Sequence, residues 1–202
     1  MIDAFPSPIH WYEIVEADEL NSRLLSDIAN LQKHSEGVNR SNRHGWQSKN
    51  DLFRRPETSF KQLCEIINAC MMKTTSRHFS NLDLKDARIS LNGWINVNFK
   101  GAYNAPHTHG SEFWSGTYYV SVPKTNFPDS GVIEFLDPRS RTQFMQIKGN
   151  NFLKPKVKFT PEPGKLVIFP SYLLHWVHPN EQEEERVSIA FNMRLGNPLV
   201  QE

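Results

Sequence analysis

The chain has 202 residues, of which 38% are hydrophobic and 22% are charged, and its net charge is +1 at neutral pH. This length fits one compact domain, and the composition is that of an ordinary globular protein. The near-neutral charge gives no overall attraction to nucleic acid or to anionic membranes, which argues against both as partners.

The chain start carries no basic region followed by an apolar run, and no apolar stretch is long enough to cross a bilayer. Two cysteines, Cys64 and Cys70, lie six residues apart on a predicted helix, where they point to different faces and cannot readily pair. These features predict a cytoplasmic protein without a membrane segment.

Residues 1–88 predict a helical flank. An apolar residue recurs every three or four positions from Leu20 to Leu31, which is the period of an amphipathic helix. Ser59 and Gln62 form a capping-box pattern and predict the start of a second helix. Between the helices, residues 37–56 are polar and aperiodic, and we interpret them as a long loop that either covers an active site or is merely solvated.

Residues 89–202 predict an all-β region. Short β-prone runs are separated by Gly, Pro and Asn, and no helical segment lies between them. Such a pattern favours an antiparallel sandwich or jelly roll over a parallel sheet. We therefore predict a single domain, 1–202, that is mostly β with N-terminal helices; the predicted strands are 89–99, 116–122, 131–135, 157–159, 165–169, 175–177 and 186–195.

Three of the eight histidines have the spacing of a metal site. His107 and His109 are separated by one residue, and alternate residues of an extended segment project from the same face, so the pair can grip one ion. His175 begins another strand, and the intervening chain is long enough to fold back onto the first pair. His178 has the opposite strand parity, and we expect it to be exposed.

Arg186 begins the last predicted strand, eleven residues past His175. A guanidinium group can clamp a carboxylate through paired hydrogen bonds, and Ser188 on the same strand face can add another. An alternative is that Arg186 forms a hairpin salt bridge with the preceding acidic run, 183–185.

Several short segments together resemble a family of 2-oxoglutarate/Fe(II)-dependent oxygenases, with prolyl hydroxylases and AlkB-type demethylases as distant relatives. The matching segments are Phe5-Pro-Ser-Pro-Ile9, Gly45-Trp-Gln-Ser48, Pro106-His-x-His109, Ser115-Gly-x-Tyr-Tyr119, Asp137-Pro-Arg139 and Phe169-Pro-Ser171. The resemblance implies a double-stranded β-helix core over residues 89–202. It also implies an enzyme that couples oxidative decarboxylation of 2-oxoglutarate by dioxygen to substrate oxidation, with hydroxylation as the expected outcome.

The resemblance further assigns roles to individual residues. It implies that Fe(II) is bound by the three histidines and that 2-oxoglutarate is bound by the set Arg186, Tyr119, Ser188, Asn96 and Asn98. Arg139, Trp94 and Trp176 are the candidates for contact with the substrate, whose nature as an organic molecule or a protein the sequence does not indicate. Neither does the sequence indicate an oligomeric state.

The pattern departs from the family at one metal ligand. His109 occupies the place where these enzymes usually carry a carboxylate, and Glu112 is close enough in sequence to be an alternative ligand. The same residues also approximate the signature of cupins, which share the fold and can hold a metal without a cosubstrate. A cupin needs no carboxylate clamp at Arg186, so that residue separates the two hypotheses. A zinc site and a purely structural polar core are further alternatives.

Overall fold

The computed structural model describes residues 5–79, 88–139 and 154–196. Helix α1 spans Ala17–Lys33 and helix α2 spans Thr58–His78, and a short 3-10 helix spans Leu52–Arg54 between them. Both predicted helices are thus present in the N-terminal part of the chain.

The predicted capping box is wrong. Helix α2 already begins at Thr58, and its N-terminal cap, Glu57, makes no side-chain capping hydrogen bond. Ser59 lies in the first turn, where its hydroxyl donates to the carboxylate of Asp27 on α1. The Ser59 hydroxyl therefore links α2 to α1 by a hydrogen bond and does not cap the N-terminus of α2.

Within the described residues, eleven strands form two antiparallel sheets. The six-stranded sheet has the order β1-β9-β6-β11-β4-β3 and the five-stranded sheet has the order β2-β5-β10-β7-β8. The strands are β1 His10–Glu13, β2 Asn42–Arg43, β3 Trp46–Gln47, β4 Arg88–Asn98, β5 Tyr103–His107, β6 Trp114–Ser121, β7 Ile133–Leu136, β8 Lys156–Phe159, β9 Lys165–Pro170, β10 His175–Val177 and β11 Arg186–Gly196.

The seven predicted strands match β4 and β6 to β11 to within about two residues at most ends. Strand β5 was not among them, because its sequence Tyr-Asn-Ala-Pro-His carries a proline and lacks the β-branched residues that mark a strand. The two sheets form the double-stranded β-helix that the family resemblance implied.

The larger core lies between the helices and the six-stranded sheet. Alternate residues of β4, β6 and β11 turn towards the helices and are buried with Leu24 and Phe60: Ile95, Val97, Tyr118, Ile189 and Phe191. The Tyr118 hydroxyl donates to Asn21 on α1 at 2.7 Å. This face is apolar because it must exclude water against two amphipathic helices.

A smaller core lies between the two sheets and leaves room for a polar centre. Its buried members come from both sheets and from the turn before β10: Tyr119, Ile133, Phe135, Val167, Phe169 and Leu173. The inward-facing residues of β4 and β11 include Asn96, Asn98, Arg186 and Ser188, all of them buried. So much buried polarity on one sheet face is unusual and indicates a functional interior.

No helix in the described ranges is long and apolar enough to cross a membrane.

Substitution of Gly116 tests how closely the central strands pack. A Cβ at this position would lie 2.4 Å from both the Phe191 ring and the carbonyl oxygen of Val167. We expect Gly116→Ala to lower the free energy of unfolding by about 1–3 kcal/mol, because the strand or the ring must shift. Urea unfolding measures the change.

Gly110→Ala is the matched control, since nothing lies within 4 Å of a Cβ there. We expect this variant to stay within about 0.5 kcal/mol of the parent. Equal midpoints for the two variants would show that the close approach at Gly116 is not a constraint on stability.

Candidate metal and cosubstrate site

The three predicted histidines lie together at one end of the interior. His107 on β5 is directly opposite His175 on β10. Strand β5 ends at His107, and the backbone N–H of His109 just beyond donates to the carbonyl of Ser171 at 2.9 Å. One ring nitrogen from each histidine lies within 4.8 Å of the others, which is the geometry of a candidate metal site.

Backbone carbonyls fix the orientation of two of the rings. Nδ1 of His107 donates to the carbonyl of Ala105 at 2.7 Å, and Nδ1 of His175 donates to that of Leu173 at 2.9 Å. Each bond leaves Nε2 as the lone-pair nitrogen, as is typical of metal-binding histidines.

Burial also keeps the three rings neutral. It lowers the pKa of His107, lowers the pKa of His109 to about 4 and lowers the pKa of His175 to about 3. The neutral imidazole is the form that binds metal ions, so the site is ready to bind at neutral pH.

Glu112 does not join the histidines. Its Oε1 accepts a hydrogen bond from Nη2 of Arg194 at 2.9 Å. The described residues bring no carboxylate into the cluster, which consists of three histidines alone. His178 also lies apart, and the expectation that it is exposed is wrong: it is partly buried, with Nε2 2.6 Å from Glu134.

A narrow inner cavity of about 40 Å³ runs from the three histidines to Arg186. Strand register explains why its walls are polar. On β11, Arg186 lies opposite Asn98 of β4, while Ser188 lies between Asn96 of β4 and Tyr119 of β6. The structure thus brings all five predicted cosubstrate residues together on the inward face, although Asn98 and Tyr119 do not themselves line the cavity.

Arg186 is the largest polar group in the interior and is only 2% exposed. Its Nη1 donates to the Ser188 hydroxyl at 3.2 Å, and its guanidinium carbon lies 5.1 Å from the centre of the Tyr119 ring. No described carboxylate forms an ion pair with it, and the neighbouring acidic residue Glu183 instead pairs with Lys100. The hairpin salt-bridge alternative is therefore wrong.

Several buried polar atoms, of Arg186 and of its neighbours, lack a hydrogen-bond partner. Among the described residues, none forms a hydrogen bond with Nε of Arg186, the Tyr119 hydroxyl or Oδ1 of Asn96. Burial raises the pKa of Tyr119 to about 12, so the hydroxyl remains a proton donor at neutral pH. Unpaired buried polar atoms cost free energy, and their concentration here is typical of a ligand site.

Gly131 is a site residue that the sequence prediction missed. Its φ is +65°, and a Cβ there would lie 2.6 Å from Cδ of Arg186. Only glycine therefore lets the backbone pass beside the arginine side chain. Thr117 also lines the cavity, and its alternation with Tyr119 along β6 was a signal that could have identified it.

A wider outer cleft of about 600 Å³ lies on the other side of the histidines. The predicted loop 37–56 forms much of it, because β2 pairs with β5 and β3 pairs with β4. Trp94, His107 and His109 line both the cleft and the inner cavity. The interpretation of this loop as a cover for the site is therefore consistent with the geometry.

The three predicted substrate residues lie in different places. The Trp94 ring lies 5.7 Å from the His109 ring. Trp176 follows His175 on β10 and so faces the other side of the sheet, where Lys156 lies 5.0 Å from its ring. Arg139 pairs with Asp137 at 2.7 Å, outside the two cavities. The structure thus places Trp94 at the site and the other two residues away from both cavities, and contact of the three with the substrate stays a prediction.

Solved structures of several 2-oxoglutarate-dependent enzymes share this fold. A prolyl-4-hydroxylase from Pseudomonas putida has a TM-score of 0.65 at 14% identity, over 95% of this chain and 94% of that one. A prolyl hydroxylase from Trichoplax adhaerens has a TM-score of 0.65 at 16% identity, over 92% and 83%. HygX from Streptomyces hygroscopicus, with nickel and 2-oxoglutarate bound, has a TM-score of 0.63 at 11% identity, over 93% and 83%.

A family model described as "Putative 2OG-Fe(II) oxygenase" matches residues 92–192, and the chain belongs to this family. It is accordingly a 2-oxoglutarate- and Fe(II)-dependent oxygenase. The search of curated proteins gives no significant match.

The Fe(II) affinities of two variants show whether His109 or Glu112 is the metal ligand. We expect His109→Ala to weaken Fe(II) binding by more than about 100-fold, above the 10–100-fold typical of outer-sphere partners. We expect Glu112→Gln to bind Fe(II) as the parent does, because Glu112 bonds to Arg194. Anaerobic titration followed by metal analysis measures both; loss of the metal in Glu112→Gln would make the carboxylate a ligand.

Proposed function

We propose that this oxygenase hydroxylates its substrate, with Fe(II) bound by His107, His109 and His175 and the far carboxylate of 2-oxoglutarate bound by Arg186. The observation that carries the proposal is the burial of the Arg186 charge, without a described carboxylate partner, at the end of a cavity that begins at the histidines. A charged group is stable in such a place when an anionic group pairs with it.

The side chains present fit both groups. Imidazole nitrogens are suitable ligands for Fe(II), and three of them leave coordination positions for a cosubstrate and dioxygen. The inner cavity connects the histidines to Arg186, which suits a molecule with one acid group at each end. The donor set therefore matches 2-oxoglutarate in charge and in polarity.

Arg186 supplies the main contact in this arrangement. Its fork of N–H groups can make two parallel charge-assisted hydrogen bonds to one carboxylate. Ser188 already accepts from Nη1, which fixes the guanidinium plane, and its hydroxyl proton is available to the same carboxylate. The Tyr119 hydroxyl, protonated and unpaired among the described residues, is a further donor.

When bound, Fe(II) would supply the activation of dioxygen: one oxygen atom of O₂ goes into the succinate that forms, with CO₂, from 2-oxoglutarate, and the other oxidises the substrate. The protein's own contribution is to orient and to exclude water. Carbonyl contacts hold the His107 and His175 rings, and Phe135 and Phe169 lie 6.0 Å and 4.7 Å from the His175 ring. This apolar wall keeps water away from one side of the site.

The alternatives from the sequence do not account for Arg186. A cupin without a cosubstrate and a zinc site both explain three histidines, but neither requires a buried arginine beside them. Family membership supports the same choice, since the matched residues 92–192 include all three histidines and Arg186.

Anaerobic addition of Fe(II) and 2-oxoglutarate tests the proposal directly. We expect a weak visible charge-transfer band only when both are present, and succinate release after air is admitted. Absence of both signals from protein that binds Fe(II) would refute the proposal and favour a metal site without a cosubstrate.

Arg186→Gln tests the carboxylate clamp. Truncating one partner of a buried charge pair typically costs about 2–5 kcal/mol, so we expect 2-oxoglutarate binding to weaken at least about 30-fold. Fe(II) binding in the absence of 2-oxoglutarate should be unchanged, because Arg186 lies beyond the histidines. Equal loss of metal and cosubstrate would give Arg186 a structural role.

Tyr119→Phe is a smaller change at the same end of the cavity. A hydrogen bond to a charged group contributes about 1.5–3 kcal/mol, so we expect 2-oxoglutarate binding to weaken about tenfold or more. Tyr118→Phe is the matched control: that hydroxyl bonds Asn21 on the helix side, so its removal should leave cosubstrate affinity unchanged. The intensity of the charge-transfer band, measured as a function of 2-oxoglutarate concentration, gives the affinity of each variant.

A further inference from the structure

Positively charged side chains line the outer cleft. Arg40, Arg43 and Lys49 contribute to its walls, and none of the described acidic side chains does. None of the three pairs with a carboxylate in the part of the chain that the structure describes. Arg43 is held in place by two hydrogen bonds from Nη1 to the carbonyls of Arg40 and Asn42, each at 2.8 Å.

A buried amide in the same cleft has an unused acceptor. Gln47 on β3 lines the cleft and is only 5% exposed. Its Oε1 is buried without a hydrogen-bond partner among the described residues. Most buried acceptors in folded proteins have a partner, so this oxygen is a polar atom that the described residues leave unused.

The metal ligands add to the positive potential. Three neutral imidazoles contribute no negative charge, whereas the usual set of two histidines and a carboxylate contributes one. In the proposed complex, the two negative charges of 2-oxoglutarate are fewer than the positive charges of Fe(II) and Arg186 together. The net charge is positive, and the histidines face the cleft that carries the three cations, so the field favours an anion there.

We propose that the outer cleft binds a small organic substrate that carries an anionic group, a carboxylate or a phosphate, attracted by Arg40, Arg43 and Lys49. This inference rests on the proposed function, which makes the cleft the substrate side of the histidines. The cleft volume of about 600 Å³ lies in the usual range for small molecules. Apolar wall residues accommodate the uncharged part of the molecule: Val38, Trp94, Ala105 and Pro106.

Three aromatic probes of similar shape test the charge preference: phenylacetate, phenyl phosphate and the neutral phenylacetamide. Binding is followed by the NMR shift of the Trp94 indole N–H, assigned with Trp94→Phe. The full chain carries Zn(II) and saturating 2-oxoglutarate, so that the inner cavity is occupied. We expect both anions to bind about tenfold more tightly than the amide, and the tighter of the two identifies the anionic group as carboxylate or phosphate.

The double variant Arg40→Gln/Lys49→Gln should reduce this preference several-fold, since two exposed cations contribute at most about a tenfold effect and Arg43 remains. Lys61→Gln, which neutralises an exposed lysine of α2 that lines a different pocket, is the control and should preserve the preference. Equal affinity for all three probes in the parent protein would overturn the inference. So would binding of an acidic peptide, N-acetyl-Glu-Pro-Glu-amide, when neither small anion binds.

Arg186→Gln distinguishes the two proposals. Anion preference that is lost in Arg186→Gln but kept in the double variant would place the probes in the inner cavity and overturn the inference. Anion preference that depends on Arg40 and Lys49 in protein that does not bind 2-oxoglutarate would support the cleft while refuting the proposed function.

Discussion

The alternation of side chains along β11 is the constraint on which both the core and the site depend. Val187, Ile189 and Phe191 turn towards the helices, while Arg186 and Ser188 turn inwards. A slip of one residue would bury the arginine against α1 and α2 and would move the apolar side chains into the cavity. The packing energy of the apolar face therefore also fixes the position of the polar face.

The histidines form a wall that two cavities share. On one side the inner cavity is narrow, is enclosed by both sheets and ends at a single buried cation. On the other side the cleft is wider and is formed largely by the segment between the two helices, whose strands β2 and β3 extend one sheet each. The sheets thus define the side proposed for the cosubstrate, whereas a connecting segment, the part of a fold that varies most readily, defines the side proposed for the substrate.

Local sequence patterns predicted those parts of the site that depend on periodicity. The strand start at His175 and the pair Arg186 and Ser188 follow from the strand pattern, and the structure places them as expected. The spacing of His107 and His109 also predicted a shared site, although β5 ends at His107 and His109 lies just beyond the strand. The family resemblance supplied Asn96, Asn98 and Tyr119, whose proximity depends on the pairing of β11 with β4 and β6.

Features that depend on contacts between residues far apart in the chain could not be predicted from local sequence patterns. Glu112 is removed from the histidines by Arg194, a residue 82 positions away. Ser59 matched a capping pattern but bonds Asp27 of the other helix. The need for glycine at position 131 arises from Arg186, which approaches it from another strand. In each case the deciding partner is remote in sequence, and no local pattern encodes it.

In the proposed complex, the buried charge of Arg186 couples the stability of the fold to the binding of 2-oxoglutarate. An uncompensated cation in the interior lowers the free energy of unfolding, and an anion that pairs with it restores that energy by mass action. At a cosubstrate concentration 100 times the dissociation constant, the gain is about 2.7 kcal/mol.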